Sequence, residues 1–187
     1  MPFTFRQLKL PEVIAIEAKR FADSRGSFVE SYRESSFAGS DITQRFVQDN
    51  VSYSRRGVLR GLHYQELPAA QGRLILVVLG EIFDVVVDIR RGSPRYSRCV
   101  GLRLSSTRSE QLVYVPPGFA HGFCALSDEA VVVYKTTAEY APNMEQGIRW
   151  NDPALNIAWP IAAPILNDRD AALPSLAEAD NSFEYLP

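Results

Sequence analysis

Histidine and cysteine are scarce in this chain, with two of each among 187 residues. A transition-metal site takes three or four His, Cys or carboxylate ligands, and two imidazoles are a thin basis for one, so no metal is expected. Cys99 and Cys124 show no CxxC spacing and have no further partners. That excludes a disulfide scaffold, fits a reducing compartment and leaves both as ordinary core residues. Net charge is nearly absent, at -2 from 20 basic and 22 acidic side chains, which gives no electrostatic reason to expect nucleic acid as a partner. No apolar run approaches the length of a membrane span, and Met1–Arg6 lacks a charged segment followed by an apolar one, so neither a membrane anchor nor a leader is expected. Repeats and low-complexity segments are also missing. A cytoplasmic, single-domain protein is the expectation, with 46% hydrophobic residues to fill one core.

What is present is β-forming sequence at regular spacing. Apolar, β-branched runs fall at 12–18, 27–32, 46–54, 58–64, 73–79, 81–89, 97–104, 111–115, 121–126 and 130–137, separated by turn formers such as Asp23-Ser24-Arg25-Gly26 and Arg91-Gly92-Ser93-Pro94. This predicts an all-β sandwich or barrel. The near-continuous apolar runs hinged at Gly80 suit strands buried inside a sandwich. Residues 33–38 read as a helical turn, Leu166–Asp170 as a helix start capped by Asn167 or Asp168, and 175–179 as a short C-terminal helix. The domain is expected to carry an N-terminal arm over about residues 1–45 and a loop and helix region over about 141–187.

The stretch Gly57-Val58-Leu59-Arg60-Gly61-Leu62-His63-Tyr64-Gln65 places an Arg and a His in a buried strand, where neither is cheap to bury without a partner. Simple alternation puts Leu59, Gly61 and His63 on one face and Val58, Arg60, Leu62 and Tyr64 on the other.

Gly57-x5-His63 and Pro116-x-Gly118-x2-His121 resemble the two motifs of the cupin superfamily, with Gln65 standing where the first motif has its second histidine. The resemblance implies a cupin-like double-sheet jelly roll that has kept a pocket and lost its metal. Longer motifs narrow it. Residues 23–30 (DSRGSFVE), 46–50 (FVQDN), 57–65 (GVLRGLHYQ), 80–85 (GEIFDV), 88–94 (DIRRGSP), 116–123 (PPGFAHGF) and 150–153 (WNDP) together are similar to the dTDP-4-dehydrorhamnose 3,5-epimerases, from about Val13 to Leu173.

That family implies a cofactor-free homodimer acting on a nucleotide sugar, dTDP-4-dehydro-6-deoxyglucose. A ketone at C4 acidifies the protons on C3 and C5, so a base on one face of the sugar and an acid on the other can invert both centres. Carried over position by position, His63 is the base, Asp170 its partner and Tyr134 the opposed proton donor. Arg73 stands where the family usually has a lysine that stabilises the enolate. Arginine keeps the charge as a planar fork rather than a point. The nucleotide and sugar contacts implied are Arg25, Phe28, Glu30, Gln48, Asn50, Arg60, His121 and Tyr140, with Arg25 reaching over from the other subunit. Competing expectations are an epimerase acting at C3 or C5 alone on another nucleotide 4-keto-6-deoxysugar, a sugar-nucleotide binder without turnover, and a metal-dependent cupin oxygenase. The two-histidine total weighs against the oxygenase, and the combination of His63, Tyr134 and Asp170 against the pure binder.

Overall fold

A computed structural model describes residues 2–186, and most of the regular structure is strand. The strands in chain order are β1 (Phe3–Gln7), β2 (Ile14–Ala18), β3 (Arg20–Asp23), β4 (Gly26–Val29), β5 (Gln48–Arg55), β6 (Leu59–Gln65), β7 (Arg73–Leu79), β8 (Glu81–Asp88), β9 (Cys99–Ser105), β10 (Glu110–Val115), β11 (Phe119–Ala125), β12 (Glu129–Thr136) and β13 (Glu145–Gly147). Two short helices, α1 (Glu34–Ala38) and α2 (Asp168–Ala171), lie among the loops. A six-stranded sheet in the order β1-β2-β10-β7-β12-β5 faces a five-stranded sheet in the order β13-β6-β11-β8-β9, and all their pairings are antiparallel. This is the expected double-sheet jelly roll.

The apolar runs divide by period two. Ile75, Val77, Ile82, Val86, Val113, Val115 and Val132 point between the sheets and form the central core. Their neighbours Val85 and Val87 face outward, where Ile148, Leu155, Leu176 and Phe183 of the C-terminal segment cover them. Leu74, Leu112 and Tyr114 on the other sheet are covered by Phe37 of α1 with Phe3, Ile16 and Ile42. Both sheets are therefore buried on two faces over much of their area, which is why β7 and β8 lack a polar alternation.

Several expectations are corrected. The first 45 residues do not all form an arm: β1 and β2 extend the six-stranded sheet, and only β3 and β4 stand apart as a two-stranded hairpin. Residues 175–179 make one turn, held by Ala179 N donating to Ser175 O at 2.8 Å, rather than a helix. The segment must straighten at once to lay Phe183 against the sheet and pair Tyr185 N with Arg91 O. Strand β13, read as loop, has little β propensity in Glu-Gln-Gly. Pairing with β6 selects it, and a Cβ at Gly147 would lie 2.7 Å from Leu62 O.

Candidate active site

A cavity of about 380 Å³ opens between the two sheets. One wall is the six-stranded sheet, through Gln48 and Asn50 of β5, Arg73 and Ile75 of β7, and Val132 and Tyr134 of β12; the other is the five-stranded sheet, through Arg60, His63 and Gln65 of β6 and His121 and Phe123 of β11. Ile75, Val132 and Phe123 also belong to the central core, so the polar groups stand on a packed apolar floor. Asn167, Arg169 and Asp170, around α2, close one side.

His63 is placed by a bulge. In the pairing of β6 with β11, His63 lies opposite His121 but Arg60 lies opposite Phe123, so the register shifts by one residue between them. The extra residue reverses the alternation. Arg60 and His63, expected on opposite faces, consequently both line the cavity, while Leu62 and Tyr64 turn to the outer core. Gly61 makes this geometry available: its φ is +110°, and an added Cβ would sit 2.6 Å from His121 O. Pure periodicity could not have shown it.

Asp170 reaches this strand from 107 residues away. Its Oδ1 lies 2.7 Å from His63 Nε2 and its Oδ2 accepts from Gly61 N at 3.0 Å. Asn167 caps α2 by accepting from Asp170 N at 2.7 Å, which fixes where the carboxylate projects. Burial pushes the Asp170 carboxyl up, but the His63 hydrogen bond and charge, the Gly61 amide and Arg169 outweigh it and hold the group below its usual range. An ionised carboxylate can only accept, so Nε2 carries the proton and the His63 Nδ1 lone pair is left available. A second pair lies alongside: His121 Nε2 is 2.8 Å from Asp84 Oδ2, with Asp84 fully buried.

Tyr134 rises from the opposite sheet, beside Asn50 in register. Arg73, two positions before Ile75 on the same face of β7, donates from Nη1 to His63 O at 3.1 Å. Burial pulls its guanidinium below the usual pKa, opposed by Tyr134 and Glu145. Arg60 donates to Ser54 Oγ at 3.1 Å and Tyr53 O at 3.0 Å.

Of the residues singled out in the sequence, His63, Asp170, Tyr134, Arg73, Gln48, Asn50, Arg60, His121 and Tyr140 all line this cavity. Arg25, Phe28 and Glu30 do not. Arg25 sits at the tip of the β3–β4 hairpin paired with Asp23, Phe28 is 68% exposed, and Glu30 pairs with Arg33. Glu145 and Arg169 were missed. Glu145 Oε2 accepts from Tyr140 OH and from Arg169 Nη1, each at 2.6 Å. Burial raises the Glu145 carboxyl, and those two hydrogen bonds with the charges of His63 and Arg169 bring it below its usual value. One signal was available for the wall: in β5, Gln48, Asn50, Ser52 and Ser54 alternate with Val51 and Tyr53, and the polar set faces inward. Among the described residues, no group of three or more His, Cys, Asp or Glu side chains is placed to hold a metal ion, and no helix is long and apolar enough to cross a membrane.

Residues 7–178 match the profile of the dTDP-4-dehydrorhamnose 3,5-epimerase family. A dTDP-4-dehydrorhamnose 3,5-epimerase from Shigella flexneri is 49% identical over 175 residues, 92% of this chain and 95% of the relative. The crystal structure of a dTDP-6-deoxy-D-glucose-3,5-epimerase from Legionella pneumophila, in complex with dTDP-4-keto-L-rhamnose, superposes with a TM-score of 0.91 at 43% identity, covering 95% of each chain. A dTDP-4-dehydrorhamnose 3,5-epimerase from Bacillus anthracis with TDP and PPi bound gives 0.89 at 41% identity, over 92% of this chain and 99% of that one. With fold and nearly the whole length in agreement, this chain belongs to the dTDP-4-dehydrorhamnose 3,5-epimerase family.

Proposed function

We propose that the protein inverts C3 and C5 of dTDP-4-dehydro-6-deoxy-D-glucose to give dTDP-4-dehydro-L-rhamnose, with no metal or cofactor. The observation that carries this reading is the His63–Asp170 pair on one sheet with Tyr134 on the sheet across the same cavity. A flat enolate held between the sheets exposes one face to an imidazole and the other to a phenol. His63 Nδ1 takes the proton from the carbon beside the ketone, and the Asp170 carboxylate stabilises the imidazolium that results. Negative charge moves to the C4 oxygen, where the Arg73 guanidinium offers hydrogen bonds and a full positive charge. Tyr134 then donates its hydroxyl proton to the carbon from the far side and recovers a proton from solvent. His121 and Arg60 hold the sugar and diphosphate, and Gln48, Asn50 and Tyr140 the nucleotide end.

Arg25, Phe28 and Glu30 fit this scheme through a second copy. They stand outside their own chain's cavity on a hairpin whose Phe21 and Phe28 are 47% and 68% exposed. The outer face of the edge strand β5 shows Val51 and Tyr53 in the same way, at 54% and 74%. A homodimer would cover this apolar surface and bring each hairpin to its partner's nucleotide site. Two free thiols and the nucleotide-sugar substrate fit a cytoplasmic location.

Proton NMR of dTDP-4-dehydro-6-deoxyglucose in deuterated water with the purified protein tests the reading. Deuterium is expected at both C3 and C5 with inversion, and His63→Asn is expected to slow both by about a hundred- to ten-thousand-fold while dTDP still binds. Exchange at C3 alone or C5 alone would assign a single inversion. Full exchange in His63→Asn would remove His63 as the base.

A further inference from the structure

The segment 138–141 leaves β12 in one sheet and crosses the cavity mouth to β13 in the other, carrying Tyr140 on the way. It has no strand or helix to pair with, and its backbone groups still need partners. Side chains supply them, chiefly glutamines, with Thr136 Oγ1 also donating to Ala138 O at 2.8 Å. Gln71 Nε2 donates to Ala138 O at 2.9 Å, Gln65 Nε2 donates to Glu139 O at 3.2 Å, Tyr140 N donates to Gln48 Oε1 at 2.8 Å, and Ala141 N donates to Gln65 Oε1 at 2.9 Å.

Gln65 is the centre of this arrangement. It is 1% exposed and grips the segment on both sides of Tyr140, while its Nε2 also donates to Ala69 O at 2.8 Å. An N–H faces its oxygen and two carbonyls face its nitrogen, so only one orientation of the amide satisfies all three bonds. A histidine or a carboxylate at this position could not make the same set. Tyr140 itself is 50% exposed. Little side-chain packing fixes its ring; its hydroxyl is tied to Glu145, and the rest of its placement comes from the backbone beneath it.

We propose that Gln65 is a positioning residue for the nucleotide end of the cavity: by clamping Glu139 and Ala141 it sets Tyr140 where the ligand meets it. The position that resembles a lost metal ligand in the sequence thus has a role of its own. This rests on Tyr140 contacting the nucleotide, as proposed above. The effect falls on binding rather than on proton transfer, because Gln65 acts on the segment and not on the reacting carbons.

Two variants test it in the full-length protein. Gln65→Ala removes all three bonds. Gln65→Glu keeps the volume and the acceptor for Ala141 N but sets a carboxylate against the Ala69 and Glu139 carbonyls, so it remains informative if the alanine variant does not fold. Hydrogen–deuterium exchange is expected to rise about tenfold or more in peptides covering 138–144, with β12 unchanged. Affinity for dTDP should fall about tenfold, the worth of one to two net hydrogen bonds, and KM should rise to match while kcat changes less than KM. An unchanged exchange rate across 138–144 in folded Gln65→Glu overturns the clamp. A loss confined to kcat also overturns the proposal, placing Gln65 at the reaction centre. Tyr140→Ala, run in parallel, is expected to weaken dTDP at least as much. If it leaves dTDP affinity intact while Gln65→Glu loosens the segment, Tyr140 leaves the nucleotide site and the proposed effect on binding falls with it.

Discussion

In the proposed reaction, Arg73 carries the largest electrostatic demand placed on one residue. Its guanidinium is tied to His63 O, so in the proposed reaction the charge offered to the enolate is fixed relative to the proposed base. Losing a preorganised oxyanion donor typically costs about a hundred- to a thousand-fold, and Arg73→Ala is expected to lose turnover on that scale in the deuterium assay. Arg73→Lys should retain activity, since the ammonium replaces the charge. An alanine variant with unchanged turnover would exclude Arg73 from the reaction. At this scale the sequence was legible where a residue sat in a long motif: His63 and His121, within 57–65 and 116–123, were readable as cavity residues, whereas Tyr134 lies outside every long motif. Glu145 and Arg169 were not readable, because their meaning lies in one hydrogen-bonded cluster with Tyr140 and each alone is an ordinary charged residue beside a loop.

Among the elements, β6 depends most on one residue. Gly61 holds φ +110°, and a Cβ added there would fall 2.6 Å from His121 O and 2.8 Å from the Gly122 α-carbon; the bulge it permits brings Arg60, His63 and the Asp170 contact onto one side. Gly61→Ala must strain the backbone and push β11 away. It is expected to cost at least about 2 kcal/mol of stability, read as a lower urea midpoint, together with most of the activity. An unchanged midpoint would show that the strand reaches its geometry without the glycine. Strands β7 and β8 were legible from their β-branched runs and the Gly80 hinge, because burial on both faces leaves a composition signal. The phase of β6 was not, since a one-residue bulge is invisible to a period-two count. Strand β13 was hidden for a different reason: its three residues become a strand only because β6 offers an edge.

For the whole molecule, two buried phenols tie stability to alkaline pH. Burial pushes Tyr114 up to about 12, and Tyr64 is raised further, by burial and then by the nearby charges of Glu66 and Asp180. Because both folded values exceed the unfolded value near 10, their contribution is intact below pH 10 and is lost as pH rises above it, by about 1.4 kcal/mol per unit for each tyrosine. Urea midpoints measured from pH 8 to 11.5 should fall past pH 10, and less steeply in Tyr114→Phe; equal slopes would mean that Tyr114 ionises freely in the folded state. The same two-sheet architecture that buries these phenols sets His63 and Tyr134 on opposite walls of one cavity, and that opposition is the central claim. Tyr134→Phe removes one hydroxyl and little volume, leaving the base and the enolate in place. Deuterium wash-in and net epimerisation, measured together on this variant in deuterated water, separate the two walls. The expected result is wash-in that persists with the original configuration, through return of solvent deuterium from His63, while inversion falls by a much larger factor. If the two rates fall together and equally, Tyr134 is helping to form the enolate and the opposed-wall account is wrong.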